Sequence, residues 1–346
     1  MMGDTFISLY SGAGGLDMGF IAAGFTPVFS NEINRNAAAT HKAMTETLHI
    51  SDCVKTCGDL SDHMHEIPTE ADLIIGGPPC QGFSVSGNMN PSDPRSRCVH
   101  DFMTVVETIK PKAFVMENVK SLATSSRWRQ VREAIISRAE NAGYRTAMAV
   151  LDSSRFGVPE KRERMILTGM LDDEAFTPPQ SAGDGRKPMT VAEALADLPR
   201  IGEPGNSRVC KARIIPSKHP ILRRSPYAGK LFNGLGRVMN PDAPAPTIPA
   251  AIGGNGTPIV DQQSMDDGSE PWVVGYHRSL MNGGTVAETV PSRLRRISVE
   301  EAAAIQTFPE WMPWSGANTA VYRQIGNAVP PRMAYHVALA LKRRLM

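Results

Sequence analysis

Cysteine is scarce in this chain: its 346 residues hold five, at positions 53, 57, 80, 98 and 210. An odd count with no export signal argues against a disulfide framework. Cys53 and Cys57 are four apart, but no second cysteine or histidine pair completes a zinc site, so no metal is expected. No apolar run approaches the ~18 residues of a membrane span, so no membrane partner is expected. The N-terminus, "MMGDTFISLY", lacks a basic region followed by an apolar stretch. It reads as a first strand rather than a secretory signal, and a cytoplasmic location is expected. Internal repeats and low-complexity tracts are also missing. Net charge is only +2 and by itself points to no partner. What is present, 41% hydrophobic and 21% charged residues, is the make-up of a globular protein with ample core. The length suggests one large domain and a smaller one.

The charge is unevenly spread. Between Arg186 and Arg237 stand eleven Lys/Arg against three Asp/Glu, a net +8, which leaves the rest of the chain at −6. Such asymmetry fits a polyanion partner for one segment, or simply a solvated basic surface. The texture changes in the same place. Up to about residue 175, short and nearly all-apolar runs ("TFISLY", "TPVFS", "ADLIIGG", "AFVMENV", "RMILTGM") alternate with helical stretches. That pattern predicts an α/β domain with a parallel sheet covered on both faces. After Pro178-Pro179 the chain is rich in Gly, Pro and Asn. Helical signals return at "ISVEEAAAIQTF", where Ser298 and Glu301 make a capping box, and at 332–345, where Met333, Val337, Leu341 and Leu345 form one stripe. Thr190 and Glu193 make a further capping box in between. Both late helices are expected to pack back on the first domain. The boundaries read as 1–180, 181–292 and 293–346.

Four strand ends carry groups suited to chemistry. "FISLYSGAGGLDMGF" is a strand, a glycine-rich turn (Gly12, Gly14, Gly15) and a helix, the arrangement that lets a backbone approach a ligand closely. Glu32 follows at the end of the next strand, 18 residues after Gly14, the spacing at which a carboxylate meets a ribose diol. Leu16 or Asp17 stands where a G-x-G-x-x-G would have its last glycine, so dinucleotide and S-adenosylmethionine both remain open. Asp59 in "CGDL" could reach an adenine amino group or cap a turn. In "GGPPCQGFS", Cys80 follows a buried strand. Pro78 and Pro79 stiffen the turn before it and Gly82 loosens the chain after it. A stiffly held thiol beside a loop suits a nucleophile that is covered once substrate has entered. Glu117 and Asn118 in "FVMENVKSL" emerge at the same rim, where a buried glutamate could serve as a general acid.

These motifs, with "NEIN", "VPEKRER", "RRISVEEAAAIQTFP" and "GNAVPP" in the same order, resemble the DNA cytosine carbon-5 methyltransferase family. The resemblance covers the first 170 residues and the last 55 or so. It implies a Rossmann-like S-adenosylmethionine-dependent methyltransferase sheet with helices on both faces, plus a smaller irregular target-recognition domain over 181–292. It implies duplex DNA as partner and S-adenosylmethionine as cofactor. Cys80 is the implied nucleophile, Glu117 the acid at ring nitrogen 3, and Arg164 the holder of the cytosine carbonyl oxygen, with Arg162 supporting it or a phosphate. The implied cofactor pocket comprises Tyr10, Ser11, Gly12, Ala13, Gly14, Gly15, Leu16, Glu32, Ile33, Asp59, Leu60, Pro79 and, from the far end of the chain, Asn327. Gln81 and Ser84 fall in a DNA-facing loop. His219, Arg223, Arg224 and Arg237 are the implied DNA contacts of the recognition domain. Three positions depart from the family's usual pattern: Glu160 for a glutamine, Tyr10 for a phenylalanine, and Ile33 for an aromatic.

The resemblance and the compact size together suggest the modification component of a bacterial restriction–modification system, monomeric and near the nucleoid, with a separate cognate endonuclease. A nicotinamide oxidoreductase would use the same glycine loop but leaves Cys80 and "ENV" without work. An RNA cytosine methyltransferase would need little of the roughly 110 residues over 181–292. A non-catalytic DNA-binding relative would have no use for an intact Cys80 and Glu117.

Overall fold

The computed structural model describes residues 4–79, 97–171 and 174–346. Cys80, Gln81 and Ser84 lie outside the described residues. The chain divides into two units, Met1–Gly157 with Arg162–Arg186 and Ala328–Met346, and Val158–Lys161 with Lys187–Asn327.

The first unit is built on strands β1 (Thr5–Leu9), β2 (Thr26–Glu32), β3 (Val54–Cys57), β4 (Leu73–Gly76), β5 (Ala113–Val119), β6 (Arg145–Asp152) and β8 (Glu163–Met170). Between the last two, β7 (Glu160–Lys161) belongs to the second unit. The sheet order is β3-β2-β1-β4-β5-β8-β6. Helices α1 (Gly15–Ala22), α2 (Arg35–Thr47), α3 (Cys98–Ile109), α4 (Lys120–Thr124) and α5 (Arg129–Asn141) make the connections. β1, β4 and β5 are buried almost throughout, as strands covered on both faces must be. Ile7, Leu9, Phe29, Ile74, Phe102, Phe114 and Trp128 form their core.

The expected parallel sheet is found from β3 to β5. β8 departs from it and runs antiparallel to both β5 and β6. The reason is the connection. Parallel neighbours need a crossover of a dozen or more residues, usually a helix. Only ten residues separate Asp152 from Glu163, and part of them is a 3₁₀ turn, so the chain folds back beside β6. The strand order reverses at β1, between β2 and β4. A crevice at that point, outside the carboxyl ends of the strands, is where open α/β sheets bind ligands.

The second unit has little regular structure. It contains α6 (Val191–Leu195), β9 (Pro216–Ile221), β10 (Lys230–Phe232), β11 (Ala245–Pro246), β12 (Ile259–Asp261), α7 (Gln262–Asp267), α8 (Trp272–Met281), β13 (Leu294–Arg296), α9 (Val299–Ile305) and α10 (Asn318–Asn327). Its strands form three two-stranded pairs, β10–β9, β11–β7 and β12–β13. Phe232, Val238, Ile259, Val273, Tyr276 and Leu294 make a small core of their own, with Trp272 stacked on Tyr276 at 4.6 Å. Both capping boxes are present, at α6 and α9.

The last helix, α11 (Pro331–Leu345), buries Met333, Val337 and Leu341 and carries Lys342, Arg343 and Arg344 in its final turn, where the helix dipole favours cations. It packs in the first unit, against α1. The helix of "ISVEEAAAIQTF" does not: α9 belongs to the second unit and packs on α6 and α10. Its apolar face, with Val299, Ala302, Ala303 and Ile305 buried, is satisfied there. Between α1 and α11 the backbones nearly touch. A β-carbon at Gly19 would stand 2.4 Å from the Ala334 Cβ and from the Tyr335 N. Gly19→Val is therefore expected to destabilise the fold by about 1–3 kcal/mol or more, since neither backbone can yield cheaply. A denaturant melt of the variant would show it, and an unchanged midpoint would contradict this packing.

Candidate active site

The glycine loop leaves β1 through an unusual backbone. Tyr10 (φ 57°), Gly12 (φ 58°) and Gly14 (φ 87°) all lie in the left-handed region. Gly14 caps α1 there, and the Ser11 carbonyl accepts its N–H at 3.0 Å. The loop is tied sideways to β2, because Ser11 N–H donates to the Asn31 carbonyl at 3.0 Å. Asn31 Nδ2 in turn donates to Thr56 Oγ1 on β3 at 3.0 Å.

Glu32 closes this corner. Its carboxylate accepts the Gly12 N–H on Oε2 at 2.8 Å and the Asn34 N–H on Oε1 at 2.7 Å. Burial raises its pKa, and those two backbone donors and the His41 ring work against the rise. Next to it, Ile33 is 60% exposed, a bare apolar face at the end of a buried strand. Asp59 is exposed and caps a short 3₁₀ turn, its Oδ1 accepting from the Ser61 N–H and hydroxyl. Those bonds hold its carboxyl below the usual range. Ala13, Leu16 and Leu60 put their side chains in the core, so only their backbone is left for a ligand. Gly12 has open space where a side chain would be. A left-handed glycine cradle, a backbone-held carboxylate and an exposed aliphatic side chain together fit a nucleoside-containing cofactor.

The Tyr10 departure has a structural use. Its hydroxyl donates to the Cys98 carbonyl at 3.2 Å, a bond a phenylalanine could not make, and burial pushes its pKa far up.

The second half of the site lies where β4 and β5 end and β8 begins. Glu117 on β5 is 8% exposed and meets Arg164 at 2.8 Å, from Nε to Oε1. Cross-strand register explains the pairing, since Val119 faces Arg164 across the β5–β8 ladder. Burial raises the Glu117 pKa, and Arg164 and then Arg162 oppose the rise without cancelling it. The outcome is a carboxyl biased toward its neutral form beside a cation that it orients. Asn118, buried, donates from Nδ2 to the Pro78 carbonyl at 3.1 Å. It thereby fixes the proline turn at the end of β4 to the end of β5. A β-carbon on Gly77 would stand 2.9 Å from Glu117 Oε2, so this turn runs directly over the carboxyl. The work of Asn118 was not evident in the sequence, although it stands inside "ENV". Arg162 has no solvent exposure, and its charge bears on Glu117.

In the second unit, His219, Arg223, Arg224 and Arg237 are all exposed. The Arg223 carbonyl is fixed by His277 of α8 at 2.8 Å. The second departure, Glu160, is fully buried and accepts the Ile248 N–H on Oε1 at 2.5 Å, an acceptor task that a glutamine oxygen could equally perform. Asn327 ends α10 and is exposed. Among the described residues, no group of three or more His, Cys, Asp or Glu could hold a metal ion, and no helix is long and apolar enough to cross a membrane.

A family model described as C-5 cytosine-specific DNA methylase matches residues 5–343. The chain belongs to this family. It is 31% identical to the Type II methyltransferase M1.HphI of Haemophilus parahaemolyticus, over 97% of this chain and 86% of that protein. It is also 31% identical to the Type II methyltransferase M.XorII of Xanthomonas oryzae, over 95% and 82%. Among solved structures it is similar to a putative DNA modification methyltransferase encoded within an E. coli prophage, with a TM-score of 0.64, 21% identity and 99% of each chain covered. A DNMT2 mutant from Spodoptera frugiperda matches with a TM-score of 0.64 at 18% identity, over 98% and 99%. As a member of the family the chain is a DNA cytosine-5 methyltransferase, with S-adenosylmethionine as methyl donor. The nicotinamide reading of the glycine loop is thereby set aside.

Proposed function

We propose that Cys80, Glu117 and Arg164 carry the reaction on a cytosine flipped out of duplex DNA. The observation that carries this reading is the Glu117–Arg164 pair, buried at the carboxyl end of β5 and the amino end of β8 and tied through Asn118 to the turn that precedes Cys80. The Cys80 thiolate adds to carbon 6 while the Glu117 carboxyl gives its proton, or a hydrogen bond, to ring nitrogen 3. Arg164 holds the carbonyl oxygen, and Arg162 keeps Glu117 and Arg164 in register from below. Electron density then collects on carbon 5. S-adenosylmethionine, when bound, would supply an electrophilic methyl group to carbon 5 and leave as the demethylated thioether. A base removes the hydrogen from carbon 5, and elimination releases the Cys80 thiolate. In a duplex the reacting face is stacked, so flipping must come first.

The cofactor is held on this reading by Tyr10, Ser11, Gly12, Gly14 and Glu32 at one rim, with Ile33 against the adenine, Asp59 at its amino group and Pro79 beside them. Residues 181–292 read the target, and the chain returns to the catalytic unit at Ala328. The β9–β10 pair is a two-stranded antiparallel ribbon, a kind of element that a major groove admits. His219, Arg223 and Arg224 are carried on it or just beyond it, and Arg237 follows β10. Gln81 and Ser84, from the loop after Cys80, are proposed as further DNA contacts. The Type II relatives support a role as the modification component of a restriction–modification system, with a separate endonuclease. We further propose a monomer working in the cytoplasm, where the chromosome is.

Tritiated methyl transfer from S-adenosylmethionine to duplex DNA, against the same assay on purified RNA, tests the reading. Transfer to DNA alone supports it, and transfer to RNA alone would overturn it. The pH dependence carries a further prediction. A raised Glu117 pKa means that the rate falls as pH climbs through that pKa and the carboxyl loses its proton. Arg164 pulls the pKa down, so Arg164→Ala should lower kcat and also move this alkaline limb to higher pH. A limb that moved to lower pH in the variant would contradict the assignment.

A further inference from the structure

Beneath the glycine loop lies a polar cluster that the chemistry does not use. Asp17 in the first turn of α1 and His41 of α2 are joined at 2.7 Å, from Nε2 to Oδ2. Asp17 Oδ1 accepts the Ser8 hydroxyl of β1 at 2.8 Å. His41 Nδ1 lies 3.5 Å from the Ser30 hydroxyl of β2, and Ser8 and Ser30 face each other in register. All four side chains are 0–2% exposed. Burial of this much polarity is costly unless every group is paired.

The cluster draws on the four elements that make the cofactor corner. Two residues beyond Ser8, β1 gives way to the left-handed loop, and two beyond Ser30, β2 delivers Glu32. The loop rests on α2 itself, since a β-carbon at Gly14 would stand 3.1 Å from His41 Cδ2 and 2.4 Å from Met44 Cε. Above the cluster, the Gly12 N–H and the Glu32 carboxylate are in contact at 2.8 Å. The separation of loop and carboxylate is thus set from below by one hydrogen-bonded chain.

We propose that His41 and Asp17 are positioning residues that hold the glycine loop at its distance from Glu32, and so set the affinity for S-adenosylmethionine without touching it. This rests on the assignment of the β1–β2 rim as the cofactor corner. The test is isothermal titration of S-adenosylmethionine into the full-length chain, with kinetics at saturating cofactor and a thermal melt without cofactor. His41→Phe keeps the volume and removes the donor. His41→Gln restores a donor near the place of Nε2. Asp17→Asn removes the charge. His41→Phe and Asp17→Asn should weaken cofactor binding by about tenfold or more, leave kcat at saturation within about twofold, and be rescued in binding by His41→Gln. A melting shift with unchanged binding in all three would make the pair merely structural and overturn the proposal, as would a loss confined to kcat. If His41→Phe fails to fold, His41→Gln against Asp17→Asn still decides, because only the first keeps a donor to an intact carboxylate. A wild type that binds S-adenosylmethionine with an affinity that Glu32→Ala leaves unchanged would instead sink the assignment of the rim.

Discussion

Cys80→Ala is expected to abolish methyl transfer, by about 10⁴-fold or more, while DNA binding stays at the wild-type level. The magnitude follows from what a nucleophile does: it replaces one difficult displacement with two easier steps, and no neighbour can take over. Cytosine carbon 5 is a poor nucleophile until carbon 6 carries the thiolate. A free thiol is only a few per cent ionised at neutral pH, so the position must be activated as well as aimed. Aim is provided by the chain before it. Pro78 and Pro79 fix two φ angles, and Asn118 grips the Pro78 carbonyl from the end of β5. Tritiated-methyl transfer and a gel-shift titration on the same duplex separate the two effects. Full transfer by the variant would remove the covalent step from the account. Lost transfer together with lost binding would instead place Cys80 in the DNA contact.

Glu117→Gln is expected to lower kcat by about 10²–10⁴-fold, the range of a positioned general acid. Glutamine keeps the shape and can still hydrogen-bond, but it holds no proton to share at neutral pH. The carboxyl is raised by burial in spite of Arg164 at 2.8 Å, so the wild type has a fraction of neutral acid that the amide cannot imitate. The same raised pKa has a cost in stability. A folded-state carboxyl pKa above the unfolded value contributes stability at low pH, and the contribution is lost as pH rises through the folded pKa. Glu117→Gln should therefore unfold no more easily than wild type at pH 8 while losing activity. Rapid-quench measurement of single-turnover methylation gives the rate directly. A variant within threefold of wild type would assign the proton to another group.

The site was more legible in the sequence than the sheet around it. Glycine loops, proline turns and strand-end acids are local, and their chemistry is written in the residue types. The Gly14-to-Glu32 spacing placed both groups in one corner, and the structure brings Gly12 and Glu32 into contact there. Sheet direction was less legible. "RMILTGM" is as apolar as a parallel strand, and only the short link after Asp152 turns it antiparallel. β3 and β6 carry weak signals, "VKTC" because it is four residues long and "RTAMAVLD" because it is an edge strand of small and partly exposed residues. The helix over Val299–Ile305 packs with the second unit because apolar stripes say that a face is buried, not against what. The Asp17–His41 pair was illegible for the same reason, as its members are 24 residues apart and meet only through the fold.

The most direct test of the central claim is bisulfite sequencing of DNA from host cells that lack other cytosine methylation and express either the wild type or Cys80→Ala. The account predicts cytosines protected within one short sequence in wild-type cells and none with the variant. Expressed, folded wild-type protein that protects no cytosine, or the same protection with Cys80→Ala, would contradict it.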